Sequence, residues 1–195
     1  MALDRHGMER EMTNTVVFID GAYLSAILRN RFDGVRIDLA GLVEAVASDD
    51  VVLQAYYYDC LPIRSNYSTP EEEKRFLAKH RFFSAIARLP NFTIRLGTLV
   101  FRNGKFMQKG VDVALSIDLV RFSVTGQIDK AIIIAGDADF IPAIRAAKNE
   151  GVHTVLYCSS HNCSPDLYDA VDCVKSLDTP LIDSVALRVR ELVTA

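Results

Sequence analysis

The chain has no strong charge of either sign. Its 22 lysines and arginines against 25 aspartates and glutamates leave a formal net charge of −3 at pH 7. A general polyanion binder working through a global field is therefore excluded, and any nucleic-acid contact has to come from local Lys and Arg clusters. No apolar run reaches the roughly 18 residues a membrane span requires, so no membrane partner is expected. The opening stretch Met1 to Thr13 is polar and charged and lacks a signal-peptide core. It reads as a loose tail, residues 1–13, ahead of one domain over 14–195 that includes a C-terminal helix. There are only four cysteines, without secretory context, so reduced thiols and a cytoplasmic location are expected. The chain has no repeat, linker or low-complexity segment, no Gly-rich phosphate loop of Walker or dinucleotide type, and no Ser/His/Asp constellation. Cys158, His161 and Cys163, with Cys173 further on, lack the paired short spacing of structural zinc ligands, and the cysteines read as small buried thiols.

What is present is an alternation of strand and helix signals. Val16-Val17-Phe18-Ile19 and Ala131-Ile132-Ile133-Ile134 are continuous apolar runs of the kind buried parallel strands show. Val51 to Tyr58, Phe92 to Phe101 and Val152 to Cys158 add further strands, and Cys173 to Leu177 a short one. Between them lie helical stretches from Ala22 to Asn30, from Asp38 through Ala47, from Thr69 to Leu89, Val111 to Val124, Phe140 to Glu150 and Pro165 to Ala170, with a terminal helix over 180–193. Thr69-Pro70-Glu71-Glu72 predicts a capping box with proline in the first helical position. Asn103-Gly104 predicts a hairpin turn. This βα rhythm argues for an α/β fold, a parallel sheet with helices on both faces. In the order 3-2-1-4-5, the first and fourth strands flank the switch point, outside whose carboxyl ends ligands bind.

Both of those strands end in acid beside glycine, at Asp20-Gly21 and Gly136-Asp137. Asp112 opens the helix that feeds the fourth strand, and Asp139 opens the helix after it. Singly, Asp112 and Asp139 are more often helix-start carboxylates favoured by the dipole. That explanation weakens when both fall beside two strand-end aspartates. Asp118 falls on a different helical face from Asp112. Converging carboxylates repel one another and usually hold a cation between them. Hard oxygen ligands without nearby Cys or His point to Mg²⁺ or Mn²⁺, ions that activate water and stabilise a phosphodiester under in-line attack. Lys109 adjoins the acids, and Arg102 and Lys105 flank the hairpin tip; these are the basic groups placed to guide a polyanion. Lys74, Arg75, Lys79, His80, Arg81 and Arg88 read as a solvated helix face.

Three motifs in order carry a resemblance: Phe18-Ile19-Asp20-Gly21-Ala22-Tyr23-Leu24, the segment from Lys109-Gly110-Val111-Asp112 to Asp118, and Ala135-Gly136-Asp137-Ala138-Asp139-Phe140-Ile141-Pro142. Together they resemble the NYN domain of LabA-like proteins in the PIN-like nuclease superfamily. The resemblance implies a Rossmann-like, PIN-type three-layer fold around a central, mainly parallel sheet. It also implies a Mg²⁺ or Mn²⁺ site and ribonuclease-type hydrolysis, with single-stranded RNA as the partner. The matching metal positions are Asp20, Asp112 and Asp137, with Asp139 completing the catalytic set. The chain departs from the family at Tyr23, where Asn is usual, and at Ala135 and Ala138, where Ser is frequent. Tyr23 is then either a surface on which a base stacks or a core aromatic. Two other readings stay open: a catalytically weak or inactive regulatory, RNA-binding protein, and a small phosphatase. Homo-oligomers are also open.

Overall fold

The computed structural model describes residues 2–3, 9–10, 13–62, 69–102 and 105–187, with backbone only for 2–3, 9–10, 101–102 and 105–108. Most of the expected loop after Pro62, the Asn103-Gly104 turn and residues 188–193 of the expected terminal helix lie outside those residues; within them that helix ends at Val185, because Ala186 turns extended to bridge Ile37.

Nine strands are described. β1 (Ala2–Leu3) and β2 (Glu9–Arg10) pair antiparallel with each other. The others are β3 (Asn14–Asp20), β4 (Val51–Cys60), β5 (Phe92–Arg102), β6 (Lys105–Lys109), β7 (Lys130–Ile134), β8 (His153–Cys158) and β9 (Cys173–Ser176). These seven form one sheet in the order β6-β5-β4-β3-β7-β8-β9. All neighbours are parallel except β6, which returns antiparallel along β5 in a hairpin register that puts Arg102 opposite Lys105. The expected order is met: β3 lies between β4 and β7, and the chain switches direction across the β3–β7 pair.

Helices cover both faces. α1 (Gly21–Arg31), α2 (Leu39–Ala47), α3 (Pro70–Ile86) and α7 (Thr179–Val185) pack on one side, and α4 (Val111–Val124), α5 (Ile141–Asn149) and α6 (Pro165–Ala170) on the other. Strand alternation divides the core accordingly. Val17, Ile19, Tyr57 and Ile132 face the α1 side, while Val16, Phe18, Tyr58 and Ile133 face the α4 side. Val16 to Ile19 are wholly buried, as expected for a strand covered on both faces. The Tyr56-Tyr57-Tyr58 run is core on both faces, and all three rings are buried.

Local signals explain the element ends. Thr69 and Glu72 form the expected capping box, and Asp38 caps α2 by accepting from the Ala40 N–H. α3 stops at Ile86 rather than Leu89. Beyond Ile86 the chain tightens into turns, the Arg88 N–H donating to the Ala85 carbonyl and the Leu89 N–H to the Ile86 carbonyl, and Pro90 disfavours helical backbone at Leu89. The expected helix from about Phe140 to Glu150 is α5, Ile141–Asn149, with Pro142 in its first turn and a short 3-10 turn, Ala138–Phe140, ahead of it. No described helix is long and apolar enough to cross a membrane.

Candidate functional site

Parallel pairing sets the site. Phe18 and Ile19 pair with Ile133 and Ile134, and Asp20 pairs with Tyr58. The carboxyl ends of β3, β4 and β7 therefore lie side by side. The chain turns from each of them into a segment that carries an aspartate.

Asp20 ends β3 and caps α1, accepting the Tyr23 N–H at 3.0 Å. Asp137 follows β7 and caps the 3-10 turn, accepting the Asp139 N–H at 3.0 Å. Asp137 is thus the cap at this turn, and Asp139 donates its backbone to it. Both are exposed, whereas Asp20 and Asp112 are half-buried. Asp112 sits in the first turn of α4, brought back to this edge by the β5–β6 hairpin.

The electrostatics tie the four together. Burial first, and then the charges of Asp112 and Asp59, push the Asp20 carboxyl up to about 6 against two backbone N–H bonds that pull it down. Burial, with the charges of Asp137 and Asp139, likewise raises Asp112. Asp112 is the hub, within electrostatic reach of Asp20, Asp137 and Asp139. Among the described residues, neither Asp20 nor Asp112 has an ion-pair partner.

One neighbour escaped the sequence reading. Asp59, 2% exposed, ends β4 one residue beyond the Tyr58 that pairs with Asp20. It accepts the Cys60 N–H at 2.7 Å and binds the Lys79 ammonium at 2.5 Å. The signal was available, since Tyr56-Tyr57-Tyr58-Asp59 is another apolar run ending in acid. Lys79, read from sequence as part of a solvated face, is instead half-buried and ion-paired, with its ammonium over the Phe83 ring.

A groove of about 610 Å³ opens at this edge, lined by Asp20, Tyr23, Asp137, Asn162 and Ser164 among others. Tyr23 spans it. The ring passes over Gly136, where any side-chain carbon would collide with it and would sit 2.5 Å from the Asn162 carbonyl. The Tyr23 hydroxyl accepts the Ser159 N–H at 2.8 Å, and burial pushes its pKa up, holding it as the neutral phenol. Tyr23 packs partly against the core clusters of both faces. Gly21 is held open in the same way by the Tyr57 ring.

Lys109 is exposed at the end of β6, its backbone N–H aimed at the Cys60 thiol beside Asp59. The side chains of Arg102 and Lys105 lie outside the described residues. Asp118 is buried away from the site on Tyr58, Arg95 and Arg121, in keeping with its separate helical face.

The donor chemistry suits a hard divalent cation, because every candidate ligand is a carboxylate oxygen and their mutual repulsion is uncompensated. Among the described residues no three acidic, His or Cys side chains close on a single point.

The family model described as NYN domain, a domain of the PIN-like nuclease superfamily, matches residues 14–178. Among curated proteins none matches the chain. Among solved structures, a protein of unknown function, VPA0982 from Vibrio parahaemolyticus RIMD 2210633, superposes with a TM-score of 0.66 at 20% identity. The match covers 92% of this chain and 100% of that one, a likeness of fold. A candidate oxidoreductase from Parabacteroides merdae ATCC 43184 gives a TM-score of 0.34 at 12% identity, over 84% of this chain and 31% of that one, too low to carry an argument.

Proposed function

We propose that this chain, which belongs to the NYN domain family, is a divalent-metal-dependent ribonuclease that hydrolyses single-stranded RNA. One observation carries the reading. Asp20 and Asp112 are both raised by burial and like charge, at the switch point of the sheet, with no described cation to relieve them. Asp20, Asp112 and Asp137 would hold Mg²⁺ or Mn²⁺ directly or through water, with Asp139 supporting. When bound, the ion supplies an activated water and neutralises charge on the scissile phosphate. The chain itself orients. The backbone N–H groups of Tyr23 and Asp139 fix the Asp20 and Asp137 carboxylates, and Lys79 keeps Asp59 from adding a further free charge. Lys109, with Arg102 and Lys105, draws the phosphate backbone in, and the Tyr23 wall of the groove borders the path of the strand.

The spread of the acids supports a second reading, a catalytically weak, RNA-binding regulatory protein, since no three described ligands meet. Purified protein incubated with single-stranded RNA in Mn²⁺, Mg²⁺ or EDTA separates the two. Cleavage in either ion, abolished by EDTA and by Asp137→Asn, is the expected result. RNA bound but left intact in both ions would overturn the nuclease in favour of the binder.

A further inference from the structure

The net charge of −3 hides a division along the chain. Between Glu73 and Asp112 there are nine lysines and arginines and no acid, while the rest of the chain carries 13 cations against 25 acids. The acid-free block builds α3, β5 and β6, one flank of the sheet. Two of its cations are engaged inside the fold, Lys79 on Asp59 and Arg95 on Asp118. Lys74, Arg75, Arg81 and Arg88 are not. All four are exposed, and among the described residues none has an ion-pair partner. The first turn of α3 is acidic, Glu71 to Glu73, so the basic surface begins at Lys74. Lys74 and Arg81 lie seven residues apart on α3, hence on one face about 10.5 Å apart, with the exposed Ala78 between them. Arg75 adjoins this row, and Arg88 follows in the turn beyond the helix.

Both ends of the block meet the carboxylate edge. Lys79, in the third turn of α3, is bound to Asp59 there, and Lys74 and Arg81 lie about 7.5 Å and about 3 Å from it along the helix axis, on either side. At the other end Lys109 stands three residues before Asp112. We propose that the exposed face of α3 binds the phosphate backbone of single-stranded RNA where the strand runs out from the carboxylate edge. Unpaired lysines and arginines displace the counterions of the strand and hold it without regard to sequence. The Phe82 ring, 39% exposed and set edge-on to Tyr57 at 5.7 Å, stands next to Arg81 and offers a base a surface to stack on.

An acidic protein would match the same cations, but the exposed ring and the join with the carboxylate edge favour a strand that reaches the site. This surface takes RNA as the ligand of that edge, as proposed above, and needs no cleavage to act. Its contacts go to phosphate, so the affinity falls steeply with salt.

The test uses the full chain and a fluorescently labelled oligouridylate, with anisotropy read in EDTA over a series of salt concentrations. Each phosphate contact on a single strand adds about 0.7 to the slope of log affinity against log salt, so K74A, R81A and R88A combined should weaken binding and lower that slope by about 2. The control combines R29A, R31A and R36A, exposed cations at the end of α1 and in the loop beyond it, at the amino end of the strands. It changes the net charge equally and should bind as the wild type does. Melting temperatures verify the folds, and K74A and R81A singly, each lowering the slope by about 0.7, carry the test if the combined variant does not fold. Equal weakening by the two combinations, or wild-type binding by the α3 variants, would overturn the surface. Capture of polyglutamate but not of RNA would overturn it in favour of an acidic protein. RNA held through α3 yet left intact in Mn²⁺ and Mg²⁺ would support the surface and remove only the nuclease. Metal-dependent cleavage with unaltered affinity in the α3 variants would do the reverse.

Discussion

Two populations of aspartate divide this molecule. Asp118 is buried, but it takes the Tyr58 hydroxyl at 3.0 Å and the Arg95 and Arg121 guanidinium groups at 3.1 and 3.5 Å. Asp50 holds Lys130 at 2.7 Å at the amino end of the strands. For Asp172, burial pushes the carboxyl up, but the Thr154 N–H, Lys148 and the Thr154 hydroxyl outweigh it and hold it at about 2. At the opposite end of the sheet, Asp20 is raised by burial and then by Asp112 and Asp59, and Asp112 by burial and then by Asp137 and Asp139. Asp59 marks the border: it shares that edge, yet Lys79 neutralises it. The fold pairs Asp118, Asp50 and Asp172 with cations and leaves Asp20 and Asp112 without a described one, and the proposed metal site rests on that difference.

Removing a charge from each population should have opposite consequences. Asp20→Asn or Asp137→Asn should lower metal-dependent RNA cleavage on the order of 100- to 1000-fold, as loss of a group acting on the developing charge does, while the fold persists. Cleavage rates matching the wild type would erase the distinction. Asp118→Ala should do the reverse. It strands two arginines and a buried tyrosine hydroxyl and should cost about 2–3 kcal/mol in urea unfolding, with the activity of the folded fraction retained.

The ion itself sharpens the contrast. Mg²⁺ or Mn²⁺ at a hundred times its dissociation constant should stabilise the wild type by about 2.7 kcal/mol and the Asp20→Asn chain by much less. Equal shifts in melting temperature for both would move the site elsewhere.

Proton linkage gives a similar but smaller effect. The folded state holds the Asp20 proton up to about 6, against 3.8 ordinarily. Asp20 therefore contributes stability at low pH that is lost as pH rises through that window, on the order of 2 kcal/mol without metal. Asp172 has the opposite sign: its contribution is present above 3.8 and lost as pH falls towards about 2. Metal-free unfolding at pH 4.5 and 7 should show the Asp20 loss in the wild type and not in Asp20→Asn. The smallest effect is expected for Tyr23→Phe, about 1 kcal/mol for the unpaired Ser159 N–H; Tyr23→Ala should cost on the order of 3 kcal/mol. Thermal melts of the two variants check that ranking.

Much of the strand edge was legible because its causes are local. An apolar run ending in acid beside glycine marks a buried strand and its exit. Thr69 and Glu72 mark a helix start within four residues, and the strand order follows from short right-handed crossovers. The same rule, applied to Asp59, would have found a further acid at the edge. The Lys79 partner would have stayed hidden, because it comes from a helix whose register against the sheet is a packing outcome.

The sequence by itself determined that strands at 14–20 and 130–134 would lie together and deliver Asp20 and Asp137 to one edge, because continuous burial and chain reversal leave few other pairings. Only the tertiary structure decided which carboxylates receive a cation, that Tyr23 reaches Ser159 across 136 positions of sequence, and that Arg95 on β5 reaches Asp118 on α4. Those contacts join residues far apart in the chain. Their energies depend on burial and on distances of a few ångströms, which no local pattern of residues encodes.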